Sequence, residues 1–346
     1  MKIIQIKTEE DFYKKFLADV INSSFQERLN VVYRGQFNSN WGLLSNIHRS
    51  YTYENWSFDS WGMNSGNTSL PSWSTRDKTL PPNSLYQATV EVTLLSRFLK
   101  SMDESDFSIS ELNFKKELFG LRELTEFRVR ENDTFPFKKL EDLSSIAQHY
   151  GIPTRMLDWS KNYLVGLFFA IDTKDNYISN DFSVFTLETN QILQNVHPNS
   201  PYNINSNEYN EELTSLRNEK IGFLNVITPP YHLCPNMKAQ RGVLTYVSHE
   251  ISSEKDPSYD LIDYINNLYS TTNEDYNRIL NLNIPPLEVD PYKDVLCKYV
   301  FDKSLIHFLR KYLYAHNIHE GTIFPGLNGI ASHAKRVQYK YRYTDK

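Results

Sequence analysis

IAQHYGIPTRMLDWSKNYLVGLFFAI, residues 146–171, divides into three physical pieces. Leu143, Ile146, Ala147 and Tyr150 stand at i, i+3, i+4 and i+7, the spacing of an amphipathic helix. Gly151 ends that helix, because glycine accepts the left-handed backbone that a helix C-terminus requires. Pro153 forces extended backbone on the residue before it, so Ile152–Leu157 is predicted to be a short extended segment or turn. Asp158 or Ser160 then caps a second helix by accepting hydrogen bonds from its first free N–H groups. That helix, Tyr163 to about Ile171, is apolar nearly all round and is predicted to be buried. The tight connection between the two helices carries Thr154, Arg155, Asp158 and Trp159, more polar chemistry than packing asks for.

Outward from this stretch, the 346 residues suffice for a sizeable core. A net charge of −5 argues against wholesale coating of nucleic acid and leaves room for a local basic patch. The two cysteines, Cys234 and Cys297, lie far apart and outside any metal-ligand spacing, which predicts reduced thiols in a cytoplasmic chain. MKIIQIKTEEDF lacks the apolar run of a signal peptide. LVGLFFAI is far shorter than a membrane span.

Ile3–Ile6 reads as a strand, and Thr8 with Asp11 as a capping-box variant ahead of a helix bearing Phe12, Phe16 and Val20. Val31–Tyr33 reads as a short buried strand with Arg34-Gly35-Gln36 at its end, where Gly35 permits close backbone approach. Trp41–Arg49 (WGLLSNIHR) is predicted to be extended or turn-rich. Residues 51–82 form a Ser-, Asn- and Trp-rich surface excursion. Helices are expected over Leu85–Met102 and Phe114–Arg130, together making a helical layer. Strands are expected over Phe182–Leu187 and Ile221–Ile227, and in VLTYV, which ends Asn236–Val247. Residues 190–218 and 252–291 read as further insertions, the latter with a helix near Leu261–Tyr269. Tyr299–Ile306 leads into a helix bearing Leu305, Phe308, Leu309, Tyr312 and Leu313, and GTIFPGLNGIA is expected to be turn-rich. The pattern predicts one α/β (α+β) domain over residues 1–346, a mixed-sheet body with a helical layer and surface insertions.

The sequence contains no Walker A loop, no GxGxxG after a strand, no HExxH, no zinc spacing and no GxSxG elbow. No metal is expected. His149 falls near a helix C-terminus, where the dipole favours histidine in any case, and it reads as structural.

YRGQ at Tyr33–Gln36, WGLLSNIHR, the stretch IAQHYGIPTRMLDWSKNYLVGLFFA, NMKAQRGVLTY and GTIFPGLNGIA together resemble the FRG domain, a family named for its Phe/Tyr-Arg-Gly motif. Gly326 stands where that family usually has Asp. The same blocks resemble a diverged ADP-ribosyltransferase, in which Arg or His followed by Gly lies on a first core strand. A Ser/Thr or Tyr motif then opens a second strand before a helix, and an acidic residue lies on a later strand. Arg34-Gly35, Thr154–Trp159 and Gln240 occupy that order. The resemblance is one of fold-level analogy. It implies an NAD-consuming toxin of phage defence, with NAD as substrate, nucleic acid as first acceptor and a neutralising antitoxin or chaperone as partner.

Breaking the nicotinamide–ribose bond passes through an oxocarbenium-like centre. On this resemblance Tyr33, Arg34, Gly35, Gln36, Thr154, Arg155, Trp159 and Gly242 are expected to hold NAD. Arg34 would grip the pyrophosphate with its guanidinium fork. Arg34, Asp158 and Gln240 are the expected catalytic set. Gln240 is neutral and orients a hydroxyl without taking a proton, so the negative charge falls to Asp158, or the protein binds a nucleotide without turning it over. Structural readings stand beside these. Arg155 and Asp158 also read as an ion pair across a turn, and Trp159 as core. The C-terminal HAKRVQYKYRYTDK reads as a solvated basic tail or a nucleic-acid contact. A noncatalytic binding module and an NAD glycohydrolase are the rival functions.

Overall fold

In the computed structural model, which describes residues 1–25, 30–50, 84–105, 129–130, 132–172, 180–189, 223–251, 260–266 and 295–343, eight strands form one mixed sheet. They are β1 (Lys2–Ile6), β2 (Val31–Gln36), β3 (Thr134–Phe135), β4 (Leu157–Ser160), β5 (Phe182–Glu188), β6 (Phe223–Ile227), β7 (Gly242–Glu250) and β8 (Leu296–Phe301). Their spatial order is β1-β8-β5-β2-β4-β7-β3, with β6 also paired to β7. β1 runs parallel to β8 and every other pairing is antiparallel. The longer helices are α1 (Ser84–Glu104), α2 (Glu141–His149), α3 (Tyr163–Ile171), α4 (Ile306–Ala315) and α5 (Leu327–Tyr343). This is the expected mixed α/β architecture. Most of the surface excursion at 51–82, the helix expected over Phe114–Arg130, and the insertions at 190–218 and 252–291 lie outside the described residues, 260–266 excepted. Among the described residues no helix is long and apolar enough to cross a membrane.

The central stretch begins as its sequence dictates. α2 closes at Gly151, whose φ is +90°. Gly151 N–H bonds to the Gln148 carbonyl, and Ile152 N–H reaches back to Ala147 at 2.9 Å, the paired closure of a Schellman motif. The next expectation needs correcting. Asp158 and Ser160 do not cap α3, because the chain continues as strand β4 through Ser160, paired with Gly242–Thr245 of β7. The cap is Asn162, whose side-chain oxygen accepts the Leu164 N–H at 3.0 Å. Ser160 accepts the Asn162 N–H instead and donates its own proton to the Gln240 carbonyl.

α3 is buried as its composition predicts. It lies against β2 and β5 with Phe12, Phe16, Phe182, Phe301 and Leu309 in one apolar cluster. Phe12 and Phe16 reach that cluster from an N-terminal helix that starts at Glu9–Asp11, widens to a π-helical stretch over Phe12–Leu17 and resumes as Ala18–Phe25. Its Thr8 cap accepts the Asp11 N–H, while the Asp11 carboxylate takes the Lys7 N–H, so the expected box closes one residue early. On another part of the sheet Val32, Trp159, Phe185 and Leu187 pack with Leu261 and Ile265. α1 and α2 form a helical layer, joined through Val92, Leu95, Leu140 and Leu143, whereas the partner expected for α1, Phe114–Arg130, lies almost entirely outside the described residues.

Two further expectations are corrected. GTIFPGLNGIA is helical on both sides of Pro325-Gly326, as Glu320–Ile323 and the start of α5. WGLLSNIHR contains a bridge from Leu44 to Asp260 and the short helix Asn46–Ser50. Proline and glycine mark the break in the first case, but their density hid the helices flanking it.

Gly35 has a definite packing task. A Cβ added there would lie 2.0 Å from the Gly166 carbonyl oxygen and 2.4 Å from Ala170 N, both α3 backbone. In return, a Cβ on Gly166 would lie 2.9 Å from Tyr33 Cβ. The close approach that Gly35 was expected to allow is therefore made by α3. Gly35→Ala is expected to cost about 3 kcal/mol or more, since backbone cannot yield as a side chain does. Thermal unfolding tests this; a wild-type melt would return Gly35 to a ligand role.

Beneath the helical layer lie His48 and His249, 6% and 8% exposed, beside the Arg155 guanidinium. Burial, helped by Arg155, holds His48 well below the usual imidazole range and His249 at about 3. The folded state then binds fewer protons than the unfolded chain between the unfolded value near 6.5 and the folded one. Stability is full above that range and falls as pH drops through it. His249 alone is expected to cost about 2 kcal/mol at pH 5. Melting temperatures from pH 7 to 5 should fall, and His249→Gln should flatten the slope.

Candidate functional site

Among the described residues β2 and β4 share one residue pair, Tyr33 with Ser160, and the strands part on either side of it. Toward the C-terminal end of β2 the gap is bridged by Arg34. Its Nη1 donates to the Asp158 backbone carbonyl at 2.6 Å, replacing the ladder bond that a strand neighbour would supply. The same nitrogen stands 3.9 Å from the Asp158 carboxylate. The Arg34 side chain is 12% exposed and that of Asp158 46%, so the guanidinium is sheltered and the carboxylate faces outward.

That carboxylate has a second neighbour. Gln148 Nε2 donates to Asp158 Oδ2 at 3.0 Å, and Gln148 Oε1 accepts the Thr154 hydroxyl at 2.9 Å. Next along α2, the half-buried His149 has its imidazole held below the usual range by burial, with Asp158 opposing that shift. Arg34, Asp158, Gln148 and Thr154 thus form one polar cluster drawn from β2, β4, α2 and the connection between them.

Toward the N-terminal end of β2 the gap opens into a cavity of about 400 Å³. Val31, Val32, Tyr33 and Val243 give it apolar walls, while Ser23, Asn30, Thr189, Thr228 and Lys161 supply polar groups. Its size falls in the range of small-ligand sites, and apolar walls with a few polar groups are the usual lining of one. Of the expected site residues Tyr33 alone lines it. Burial lifts the Tyr33 phenol to about 12, and its ring packs edge-on against Tyr163 of α3.

The remaining expected residues are held elsewhere. Arg155 does not pair with Asp158. It is 4% exposed and bonds to Glu91 of α1 through both backbone N–H (3.1 Å) and Nε (2.8 Å), with its guanidinium 4.1 Å from the Phe135 ring centroid. A polar side chain in the connection is free to turn inward where a buried carboxylate receives it, which the turn reading did not foresee. Trp159 is core, donating its indole N–H to Thr245 Oγ1 at 2.8 Å. Gln36 is buried and donates to the Gly42 carbonyl. Gln240, 7% exposed, sends its side-chain amide to the Ile323 carbonyl at 3.3 Å. It joins the site only through its backbone, which accepts from Ser160. Gly242 opens β7 beneath the Met237 side chain.

Gln148, Glu91 and Lys161 were not singled out by the sequence. Gln148 follows the apolar stripe of its helix by one position and reads as a solvent-facing residue. Its place in the last turn, beside the connection, is the signal that finds it. Among the described residues no group of three or more His, Cys, Asp or Glu side chains is placed to hold a metal ion. The chemistry on offer is that of an outward carboxylate held by an amide and a guanidinium, able to stabilise positive charge or accept a proton.

The family model for the FRG domain matches residues 29–178. That span takes in β2, WGLLSNIHR, β4 and α3, and therefore the whole Arg34–Asp158–Gln148–Thr154 cluster. Gln240 and the C-terminal helices lie beyond it. No curated protein and no solved structure matches the chain. On the family model, residues 29–178 of this chain carry an FRG domain.

Proposed function

We propose that this chain is an NAD-dependent ADP-ribosyltransferase in which Asp158 supplies the negative charge at the reacting ribose. The observation that carries the reading is the outward Asp158 carboxylate, held by Gln148 beside Arg34 where β2 and β4 part. The order of the strands supports it too. β2, β4 and β7 are neighbours, and Arg34-Gly35, Asp158 and Gln240 lie on or just before them in the sequence the ADP-ribosyltransferase resemblance implies. The cavity beside Tyr33 offers room for part of a nucleotide.

In the reaction the bond from ribose C1′ to the nicotinamide nitrogen breaks, and its electron pair leaves with neutral nicotinamide. Positive charge develops on the ribose and is favoured by a nearby anion. An acceptor oxygen or nitrogen then forms the new bond to C1′ and gives up its proton, for which a carboxylate is a suitable base. Nucleic acid is the first acceptor proposed, in the cytoplasm, with the chain serving as a toxin of phage defence restrained by a partner protein. Arg34 enters this scheme as a tie between strands that also sets the field at Asp158, since its best bond is to β4 backbone.

One observation favours a second reading, a noncatalytic nucleotide-binding module. Gln240 stands where the transferase resemblance implies an acid, yet it is neutral and its amide is engaged inside the protein. Purified protein incubated with adenylate-labelled NAD and cell extract separates the readings. Label on nucleic acid supports the transferase, nicotinamide release without transfer a glycohydrolase, and binding without release the module. Asp158→Asn keeps the side-chain shape and removes the charge. It is expected to lower nicotinamide release about 100-fold or more, the scale of a lost charge-stabilising or proton-accepting group, with NAD affinity nearly unchanged. Full activity in that variant would reduce Asp158 to a strand residue.

A further inference from the structure

We infer that Gln148 is a positioning residue for Asp158, and that Thr154 fixes which way its amide points. This rests on the reading of Asp158 given above and adds the device that aims it.

An amide side chain has an accepting and a donating end, and it holds Asp158 only if the donating end faces the carboxylate. Three bonds decide the matter. Met156 N–H donates to Thr154 Oγ1 at 3.1 Å, leaving the hydroxyl proton free to point elsewhere. That proton goes to Gln148 Oε1 at 2.9 Å. The amide is thereby turned so that Nε2 meets Asp158 Oδ2 at 3.0 Å. Donor and acceptor alternate without a break from Met156 to Asp158, and such chains polarise each successive bond.

The relay is anchored at its fixed end. Thr154 is wholly buried, and the Ile47 N–H bonds to its carbonyl. Arg155 next to it is clamped by two bonds to Glu91, whose side chain is 1% exposed. The hydroxyl therefore has little freedom to swing, whereas Asp158, nearly half exposed, does. Order passes from the buried threonine through the half-buried Gln148 to the outward aspartate. A purely structural glutamine at the end of α2 would need none of this, because the Schellman closure at Gly151 already completes the helix.

The test pairs a stability cycle with turnover. Gln148→Glu keeps the acceptor for Thr154 but sets two carboxylates against each other. Adding Asp158→Asn to it restores a donor facing an acceptor, with the charge moved one residue away from the ribose. Gln148→Glu is expected to lower the melting temperature and to reduce kcat for nicotinamide release about tenfold or more, the scale of a hydrogen bond to a charged group, with KM for NAD held within about twofold. The double variant should recover the melting temperature and not the turnover, giving a clear coupling in the double-mutant cycle. Thr154→Val should lower kcat in the same manner. Additive melting temperatures would overturn the inference, and so would wild-type kcat in Gln148→Glu. If the wild-type protein releases no nicotinamide, the transferase reading fails, while the stability cycle still decides whether Gln148 holds Asp158.

Discussion

The contact between α3 and β2 is the constraint on which the rest depends. An apolar helix can lie almost directly on a strand only where both backbones lack a Cβ, and Gly35 and Gly166 provide that pair of bare positions. With the helix drawn in, Tyr33 and Val184 pack beside it, and the large aromatic cluster of Phe12, Phe16, Phe182 and Phe301 closes over the same face. The position of α3 also sets where β4 must end, since Lys161 and Asn162 alone separate the two elements. Arg34 precedes Gly35 directly. The residue that ties β2 to β4 thus adjoins the one that seats the helix.

Polar groups at the site follow a gradient of burial. Glu91 and Arg155 neutralise each other in the interior, where an unmatched charge would be costly, and truncating either would leave the other stranded. Thr154 and Gln148 stand between interior and surface, uncharged and bonded at both ends. Asp158 at the rim keeps a charge that water still reaches. Charge that is useful to chemistry is confined to the outer end, and the inner end serves only to hold shape.

Much of the fold is legible in the sequence because its signals are local. Gly151 announces the end of α2, the continuous apolar run announces α3, and the alternation in Phe182–Leu187 announces β5. β4 was missed because four residues, LDWS, are too few for a period to show, and a polar residue before a helix looks the same whether it caps or pairs. α5 was missed because Pro325-Gly326 and Gly329 suggest a loop by composition alone. For the site, the pairing of Arg34 with Asp158 needs the register of β2 against β4, which no local pattern contains. The inward turn of Arg155 depends on Glu91, 64 positions earlier, and one sequence offers no means of matching a lone buried carboxylate to a lone arginine. Gln240 illustrates the converse: its place in the chain fits a family pattern, while its side chain is spent on the Ile323 carbonyl.

The single residue pair joining β2 to β4 has a mechanical consequence. Four strands, β1, β8, β5 and β2, lie on one side of that seam, and β4, β7, β6 and β3 on the other. Within each half, ladders of four to six residue pairs join the principal strands, so each half is stiff in bending. Across the seam, among the described residues, one ladder pair and the Arg34 bond tie the backbones, and the buried packing of Val32, Trp159 and Leu187 joins the two halves besides. The seam is thus held by side chains where the rest of the sheet is held by its ladders.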